Sequence, residues 1–210
     1  MLHSTEEAGL AEMRAELLAG ASGRTLEIGG GTGLNLSRYP PALGSLTVTE
    51  PDPFMARRLR ARLKASPPPF PVEVAEVHAE ELPAGSDSFD TVVSTLVFCT
   101  VADPARAAAE IHRVLAPNGR LLLLEHVRDP EEGRTARWQD RLERPWGWVA
   151  AGCHPNRDTV ATLRAAGFEA ELERGDLPKA PPIVRPLVRG TATLARLVDQ
   201  GGVPGNRVLP

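Results

Sequence analysis

The sequence lacks the features that mark secreted, membrane-spanning or nucleic-acid-binding chains. Two cysteines in 210 residues are too few for a disulfide framework, and we therefore expect a cytoplasmic protein. No apolar run approaches the roughly 18 residues of a membrane span, and the N-terminus does not show the basic-then-apolar order of a signal peptide. The formal net charge is −3, and no run of lysine and arginine stands out. We expect no nucleic-acid partner and no membrane span, and leave peripheral contact with a membrane open.

Other absences concern metals and aromatic residues. No set of histidine, cysteine and acidic residues has the spacing of metal ligands, so we expect no metal. Aromatic residues make up only 4% of the chain, and its three tryptophans fall in one segment, at Trp138, Trp146 and Trp148. Apolar residues make up 42% of the chain, which is enough for a sizeable core, and 210 residues are a normal length for one domain.

A short apolar segment at residues 25–28 stops at three consecutive glycines, and a short helix is predicted from Leu34. Glycine permits positive φ and leaves room for a ligand because it has no Cβ. A strand, a glycine turn and a helix in this order bind nucleotide-like ligands beyond the carboxyl ends of strands. The spacing excludes the dinucleotide fingerprint, which needs glycine or alanine at its sixth position, and no Gly-Lys-Ser/Thr of a phosphate-binding loop follows.

The remaining pattern, Glu27-x-Gly29-x-Gly31-x-Gly33, resembles the first motif of class I S-adenosylmethionine-dependent methyltransferases. Glu50 strengthens this interpretation, because it ends the second predicted strand about 20 residues after the first glycine, where a carboxylate accepts both hydroxyls of an adenosine ribose. We expect S-adenosylmethionine as the methyl donor and S-adenosylhomocysteine as the product. The predicted donor-binding residues are Glu27, Gly29, Gly31, Gly33, Asn35, Glu50, Pro51, His78, Ala79, Glu80, Thr95 and Leu96.

Strand and helix patterns alternate along most of the chain. The predicted helices span residues 5–20, 53–65, 103–115 and 154–166, and the predicted strands span residues 25–28, 46–49, 72–77, 91–98, 121–124, 168–174 and 183–192. Parallel strands joined by helices imply a right-handed, doubly wound sheet. We therefore predict an α/β protein with a mostly parallel, seven-stranded sheet of the Rossmann-like methyltransferase type, whose last strand is antiparallel.

The pattern is consistent with a single methyltransferase domain over residues 1–210. Residues 1–22 are predicted to form a helix that packs on the sheet or acts as a lid, and residues 24–127 to form the donor-binding core. Residues 128–156 are predicted to be a charged, irregular, tryptophan-rich insertion at the acceptor site. A C-terminal helix and hairpin (157–193) and a flexible tail (201–210) are predicted to follow.

Residues 78–83 resemble a turn that commonly reads Asp-Ala-x-x-Leu-Pro in this superfamily. The resemblance implies that the acid of the turn binds the adenine amino group and that the next backbone amide meets the ring. In this chain His78 replaces the acid and Ala79 supplies the amide. The sequence thus departs from the superfamily pattern at His78, and Glu80 is the alternative acid.

Several further segments, in one order, are similar to the methyltransferase-like protein 7 family, whose animal members look like thiol S-methyltransferases. These segments are residues 95–99, 113–119, 125–127, 138–146 and 152–153, and the similarity covers roughly residues 24–193. We expect no counterpart of the N-terminal hydrophobic anchor that the animal members carry. The resemblance implies methylation of a small thiol. Phospholipid or amine headgroups and quinols stay open as acceptors, as does a donor-binding module without turnover.

Two histidines are candidates for the base that ionises the acceptor. His126 is the first candidate because it ends a predicted strand on the donor side, and His154 is the second. Histidine titrates in a range suited to a thiol of pKa about 8.5. The predicted acceptor pocket is lined by Cys99, Trp138, Trp146 and Trp148, although the tryptophans could instead form a satellite cluster. We expect Cys99 and Cys153 to be buried small side chains rather than nucleophiles.

Overall fold

The computed structural model describes residues 9–130, 133–150, 152–177 and 180–195. Its strands are β1 (Arg24–Ile28), β2 (Ser45–Thr49), β3 (Val72–Ala75), β4 (Phe89–Thr95), β5 (Leu115–His126), β6 (Phe168–Asp176) and β7 (Pro186–Leu194). They form one sheet in the order β3-β2-β1-β4-β5-β7-β6. Neighbours among β1 to β5 are parallel, whereas β7 is antiparallel to β5 and β6. The predicted doubly wound sheet with an antiparallel last strand is confirmed.

The helices cover both faces of this sheet. They are α1 (Ala11–Leu18), α2 (Pro53–Ala65), α3 (Pro104–Val114), α4 (Arg134–Val149) and α5 (Thr159–Ala165), with short 3-10 turns at Leu36–Arg38 and Pro182–Val184. Among the helices in the described part of the chain, none is long and apolar enough to cross a membrane.

An aspartate caps the first turn of both α2 and α3. Asp52 accepts hydrogen bonds from the amides of Phe54 and Met55, and a proline occupies the first turn of the helix. Asp103 caps α3 in the same way. Each carboxylate satisfies amides that have no partner inside the helix. The bounds of α2 agree with the prediction, and α3 ends one residue before the predicted end.

Three groups of buried side chains hold the layers together. One face of the sheet packs on α3 through Leu26, Ile28, Val92, Ile111 and Leu123, and the opposite face packs on α1 and α2 through Leu18, Leu36, Tyr39, Leu46 and Leu59. A third group lies near the carboxyl ends of β4 and β5 and includes Leu10, Cys99, Leu124, Cys153, Ile183 and Leu187. The prediction that both cysteines are buried is confirmed.

The prediction of an irregular segment at residues 128–156 is wrong, because most of it forms the 16-residue helix α4. The helix continues through Pro145, whose side chain is exposed. Ala136 and Gln139 are fully buried, and Leu142 and Trp146 pack against the third group. These four residues recur every three or four positions, which is the spacing of one helix face.

Other boundaries differ from the prediction for local reasons. β4 ends at Thr95 rather than at residue 98, because Leu96 takes φ +61° and leaves the extended conformation. α5 begins at Thr159 rather than at residue 154, because the Asp158 side chain caps it by accepting from the Ala161 amide at 2.9 Å.

The ends of three strands also differ from the prediction. β3 ends at Ala75, two residues early, and β7 begins at Pro186 because residues 182–184 form a 3-10 turn. β5 begins at Leu115, six residues before its predicted start at residue 121. Residues 1–8 of the predicted N-terminal part and the predicted tail at 201–210 lie outside the described residues.

Candidate functional site

The loop between β1 and the first 3-10 turn takes the conformation that its glycines allow. Gly31 has φ +56°, and a Cβ built on it would meet no atom within 4 Å. Gly33 has φ +80°, and a Cβ there would lie 2.7 Å from Leu59 Cδ1. Gly33 therefore lets the loop pack on α2, whereas Gly31 presents its backbone to open space where a ligand can approach.

Glu50 lies beside this loop at the carboxyl end of β2. Its Oε2 accepts a hydrogen bond from the Gly31 amide at 2.7 Å, and its Oε1 accepts from the Asp52 amide at 2.9 Å. The side chain is 5% exposed, and the neighbouring Pro51 is exposed. Two backbone amides thus fix the carboxylate next to the open surface of Gly31, which is the position predicted for a ribose-binding acid.

Glu27 is buried beneath the glycine loop. It accepts hydrogen bonds from Asn35 Nδ2 and from the Tyr39 hydroxyl, both at 2.8 Å. Burial raises the pKa of Glu27 to about 7, although the hydrogen bonds from Tyr39 and Asn35 and the charge of Arg14 oppose the rise. Burial also raises the pKa of Tyr39 well above its usual value.

Arg14 of α1 completes this buried network, and the sequence analysis missed it. Its guanidinium donates to Asn35 Oδ1 at 3.0 Å and to Thr95 Oγ1 at 2.9 Å, and Asn35 Nδ2 also donates to Thr95 Oγ1 at 3.0 Å. Arg14 is only 6% exposed. The missed signal was its position midway between Leu10 and Leu18, four residues from each, because a cation within an apolar helix stripe must find partners inside the fold.

The segment after β4 carries backbone strain next to this network. Leu96 has φ +61°, a conformation that costs a side-chain-bearing residue free energy and is concentrated at functional sites. Glu125 at the end of β5 holds the segment, since its Oε1 accepts from the Ser94 hydroxyl at 2.7 Å and from the Val97 amide at 2.9 Å. Glu125 is fully buried, and burial raises its pKa to about 7.

The residues of the predicted adenine-binding turn differ in exposure and in hydrogen bonding. The His78 side chain is exposed, and Ala79 is buried. Glu80 Oε1 accepts a hydrogen bond from the Asp103 amide at 3.0 Å, so this carboxylate is engaged at the start of α3. Beside the turn lies an open cavity of about 410 Å³, lined by Glu76, Val77, His78, Glu81, Leu82 and Pro83.

The two candidate histidines occupy different environments. His126 is 9% exposed, and its Nδ1 has no hydrogen-bond partner among the described residues. Burial lowers the pKa of His126 to about 4, opposed by a hydrogen bond with the Val184 backbone. His154 is half-buried, and its Nδ1 lies 2.8 Å from Glu143 Oε1 of α4. The His154 amide donates to the Cys99 carbonyl at 2.6 Å, which places this pair beside the segment after β4.

The three tryptophans differ in exposure. Trp146 packs against the third group of buried side chains, whereas Trp138 is 47% exposed and Trp148 is 88% exposed. The helical path of α4 turns Trp138 and Trp148 away from the buried Gln139 face, and the acceptor pocket lined by all three stays a prediction. Cys99 lies with Trp146 in that group, close to Leu96.

The chain is similar to known methyltransferases in sequence and in fold. Residues 26–123 match the methyltransferase domain family. Thiol S-methyltransferase TMT1B from Rattus norvegicus is 35% identical over 153 residues, which cover 70% of this chain and 61% of the rat protein, less than two thirds of its length. TMT1B from Homo sapiens is 35% identical over 182 residues, covering 83% of this chain and 73% of the human protein. A solved S-adenosylmethionine-dependent methyltransferase from Thermotoga maritima has the same fold, with a TM-score of 0.63 at 23% identity over 93% of this chain and 96% of that one.

Proposed function

Because the chain belongs to the class I S-adenosylmethionine-dependent methyltransferases, in the family of the thiol S-methyltransferase TMT1B, we propose that it transfers a methyl group to the sulfur of a small thiol. The observation that carries the proposal is the 35% identity to the human TMT1B over 83% of the chain. A cytoplasmic location, in keeping with two unpaired cysteines, is part of the same proposal.

The residues present fit the donor. S-adenosylmethionine supplies a methyl group on a sulfonium, which is already a strong electrophile. Its ribose hydroxyls suit the Glu50 carboxylate beside the open backbone of Gly31. Its amino-acid end carries an ammonium and a carboxylate, and the buried Glu27 and Arg14 offer the complementary charges. Orientation of this kind supplies much of the rate in a methyl transfer.

For the base, the environment of each histidine favours His154 over His126. A buried imidazole with a pKa of about 4 is poorly matched to a thiol with a pKa of about 8.5. His154 instead has a carboxylate, Glu143, that orients its ring through Nδ1 and leaves Nε2 to take a proton. The thiol proton passes to Nε2. With S-adenosylmethionine bound, the thiolate sulfur would accept the methyl group, and the donor sulfur would keep the electron pair of the bond that breaks.

A panel of acceptors with methyl-labelled donor tests the proposal. We expect transfer to small hydrophobic thiols, since the side chains near Cys99 are mainly apolar. Transfer to an amine headgroup or a quinol but to no thiol would replace the proposed acceptor with one of those classes. S-adenosylhomocysteine binding without transfer to any acceptor would identify a donor-binding module without turnover.

A further inference from the structure

The outer face of α4 combines cationic and aromatic side chains. Arginines recur at residues 134, 137, 141 and 144, a spacing of three, four and three that places them along one side of the helix. All four are exposed. Exposed apolar side chains lie on or next to this side, with Trp148 at 88%, Val149 at 69% and Trp138 at 47% exposure. We call these seven residues the outer face of α4.

This face contains no acidic side chain. The two acids of the helix lie on its flanks and are already paired, Asp140 with Arg128 at 3.0 Å and Glu143 with His154 at 2.8 Å. Within the described ranges, none of the four arginines of the outer face forms an ion pair. The whole chain has a net charge of −3, so the cationic charge of this face stands against an acidic overall balance.

The inner face of α4 is fixed to the body of the protein. Gln139 is fully buried, and its Nε2 donates to the carbonyls of Val127, Pro155 and Ile183 at 3.0 to 3.1 Å. Leu142 and Trp146 pack against the third group of buried side chains. The anchored inner face holds the outer face in a defined orientation towards solvent.

Cationic side chains interleaved with exposed tryptophans suit the boundary between water and lipid. Arginine is drawn to anionic headgroups, and tryptophan lies at headgroup level with its ring against the acyl chains. Val149 at the end of the helix adds an exposed aliphatic side chain that an anionic nucleic acid would not bind. We propose that the outer face of α4 binds the surface of a bilayer that contains anionic lipid. This inference goes beyond the proposed methyl transfer and does not depend on the acceptor.

The full chain offers a direct optical test, because all three tryptophans lie on α4. Vesicles of phosphatidylcholine with about 30% phosphatidylglycerol should bind the protein and shift its tryptophan emission to shorter wavelength. Pure phosphatidylcholine vesicles should bind it at least about tenfold more weakly. Binding should weaken as salt rises from about 50 to 300 mM. Trp148→Ser should remove most of the shift.

Two matched double variants separate a defined face from general charge attraction. Arg137→Gln with Arg141→Gln should lower partitioning into the anionic vesicles at least about tenfold. Arg58→Gln with Arg62→Gln removes the same charge from exposed positions of α2 and should change it less than threefold. Circular dichroism and S-adenosylhomocysteine binding confirm that each variant is folded.

Four results would overturn the proposal. The first three are no binding to anionic vesicles, equal binding to neutral vesicles, and equal losses in the α2 and α4 variants. A fourth is a stronger affinity for single-stranded nucleic acid than for the vesicles at the same salt, which would assign the face to a different partner.

Discussion

Arg14 and Glu27 are buried ionisable side chains that share Asn35 as a hydrogen-bond partner, and Thr95 accepts a hydrogen bond from Arg14. Arg14→Met keeps the length of the side chain but removes the cation and its hydrogen bonds. We expect the affinity for S-adenosylhomocysteine to fall by on the order of 1.5–3 kcal/mol, the usual effect of losing a charged hydrogen-bond donor. Calorimetry measures it, with Arg58→Met on the exposed side of α2 as the control. Equal affinities in the two variants would remove Arg14 from the donor site.

The base assignment predicts a particular dependence on pH. About 3% of a thiol with pKa 8.5 is ionised at pH 7 without help from the protein. Since this fraction can still react, the methyl-transfer rate of His154→Ala should be at most roughly thirtyfold below that of the wild type at pH 7. The deficit should shrink towards pH 9.5, where the thiol ionises without help. His126 has a pKa of about 4 and is neutral throughout this range, so any deficit of His126→Ala should be constant. The check is a pH–rate profile of both variants with one thiol, and the opposite pattern would restore His126 as the base.

At the scale of elements, Pro145 is the least expected feature of α4. A proline inside a helix provides no amide for the carbonyl four residues earlier. Pro145→Ala restores that donor, and we expect the free energy of unfolding to rise by about 1–3 kcal/mol. Pro53→Ala is the matched control, because the first position of α2 has no intrahelical acceptor to bond. Urea unfolding compares the two, and no gain for Pro145→Ala would mean that α4 is already distorted to accommodate the ring.

The elements that could be predicted from sequence are those with local signals. α2 and α3, which Asp52 and Asp103 cap ahead of a proline, begin within one residue of their predicted starts, and the glycine pattern located the turn after β1. α4 was missed because Pro145 and many charged residues obscure a buried stripe that holds a glutamine, Gln139, in place of an apolar residue. That glutamine is buried only because three distant carbonyls accept from it, and no local pattern reveals such partners.

The candidate site shows the same limit. The sequence allowed three donor-binding residues to be predicted, because the spacing of Glu27, Gly31 and Glu50 is typical of a site for a nucleoside ligand. Arg14 and Glu125 could not be predicted in this way, because their hydrogen-bond partners, Thr95 and Val97, lie far away in the sequence. The exposure of Trp148 likewise follows from the path of α4 and not from its residue type.

For the molecule as a whole, Glu125 links stability to pH. The fold raises the pKa of this carboxyl from 4.5 to about 7, so the folded state holds the proton more tightly than the unfolded state. The stability that it contributes is present below about pH 4.5 and is lost as pH rises through about 7. Glu125→Gln cannot lose a proton. The unfolding free energy of the variant minus that of the wild type should therefore rise, by on the order of 1–3 kcal/mol, between pH 5 and pH 8.

Urea titrations at the two pH values measure this difference. Glu27, whose pKa is raised in the same direction, and His126, whose pKa is lowered, are present in both proteins, so their contributions cancel. A difference that does not change with pH would show that Glu125 is ionised in the fold across this range.

A continuous series of hydrogen bonds runs from the glycine loop into α2. The Gly31 amide donates to Glu50, the Asp52 amide donates to the other oxygen of the same carboxylate, and Asp52 accepts from the Phe54 amide. A ligand that immobilises Glu50 should therefore also reduce local opening of the first turn of α2. In deuterium exchange, we expect the Phe54 and Met55 amides to gain protection when S-adenosylhomocysteine is added. The Ala161 amide, which the Asp158 side chain caps on α5, serves as the internal reference.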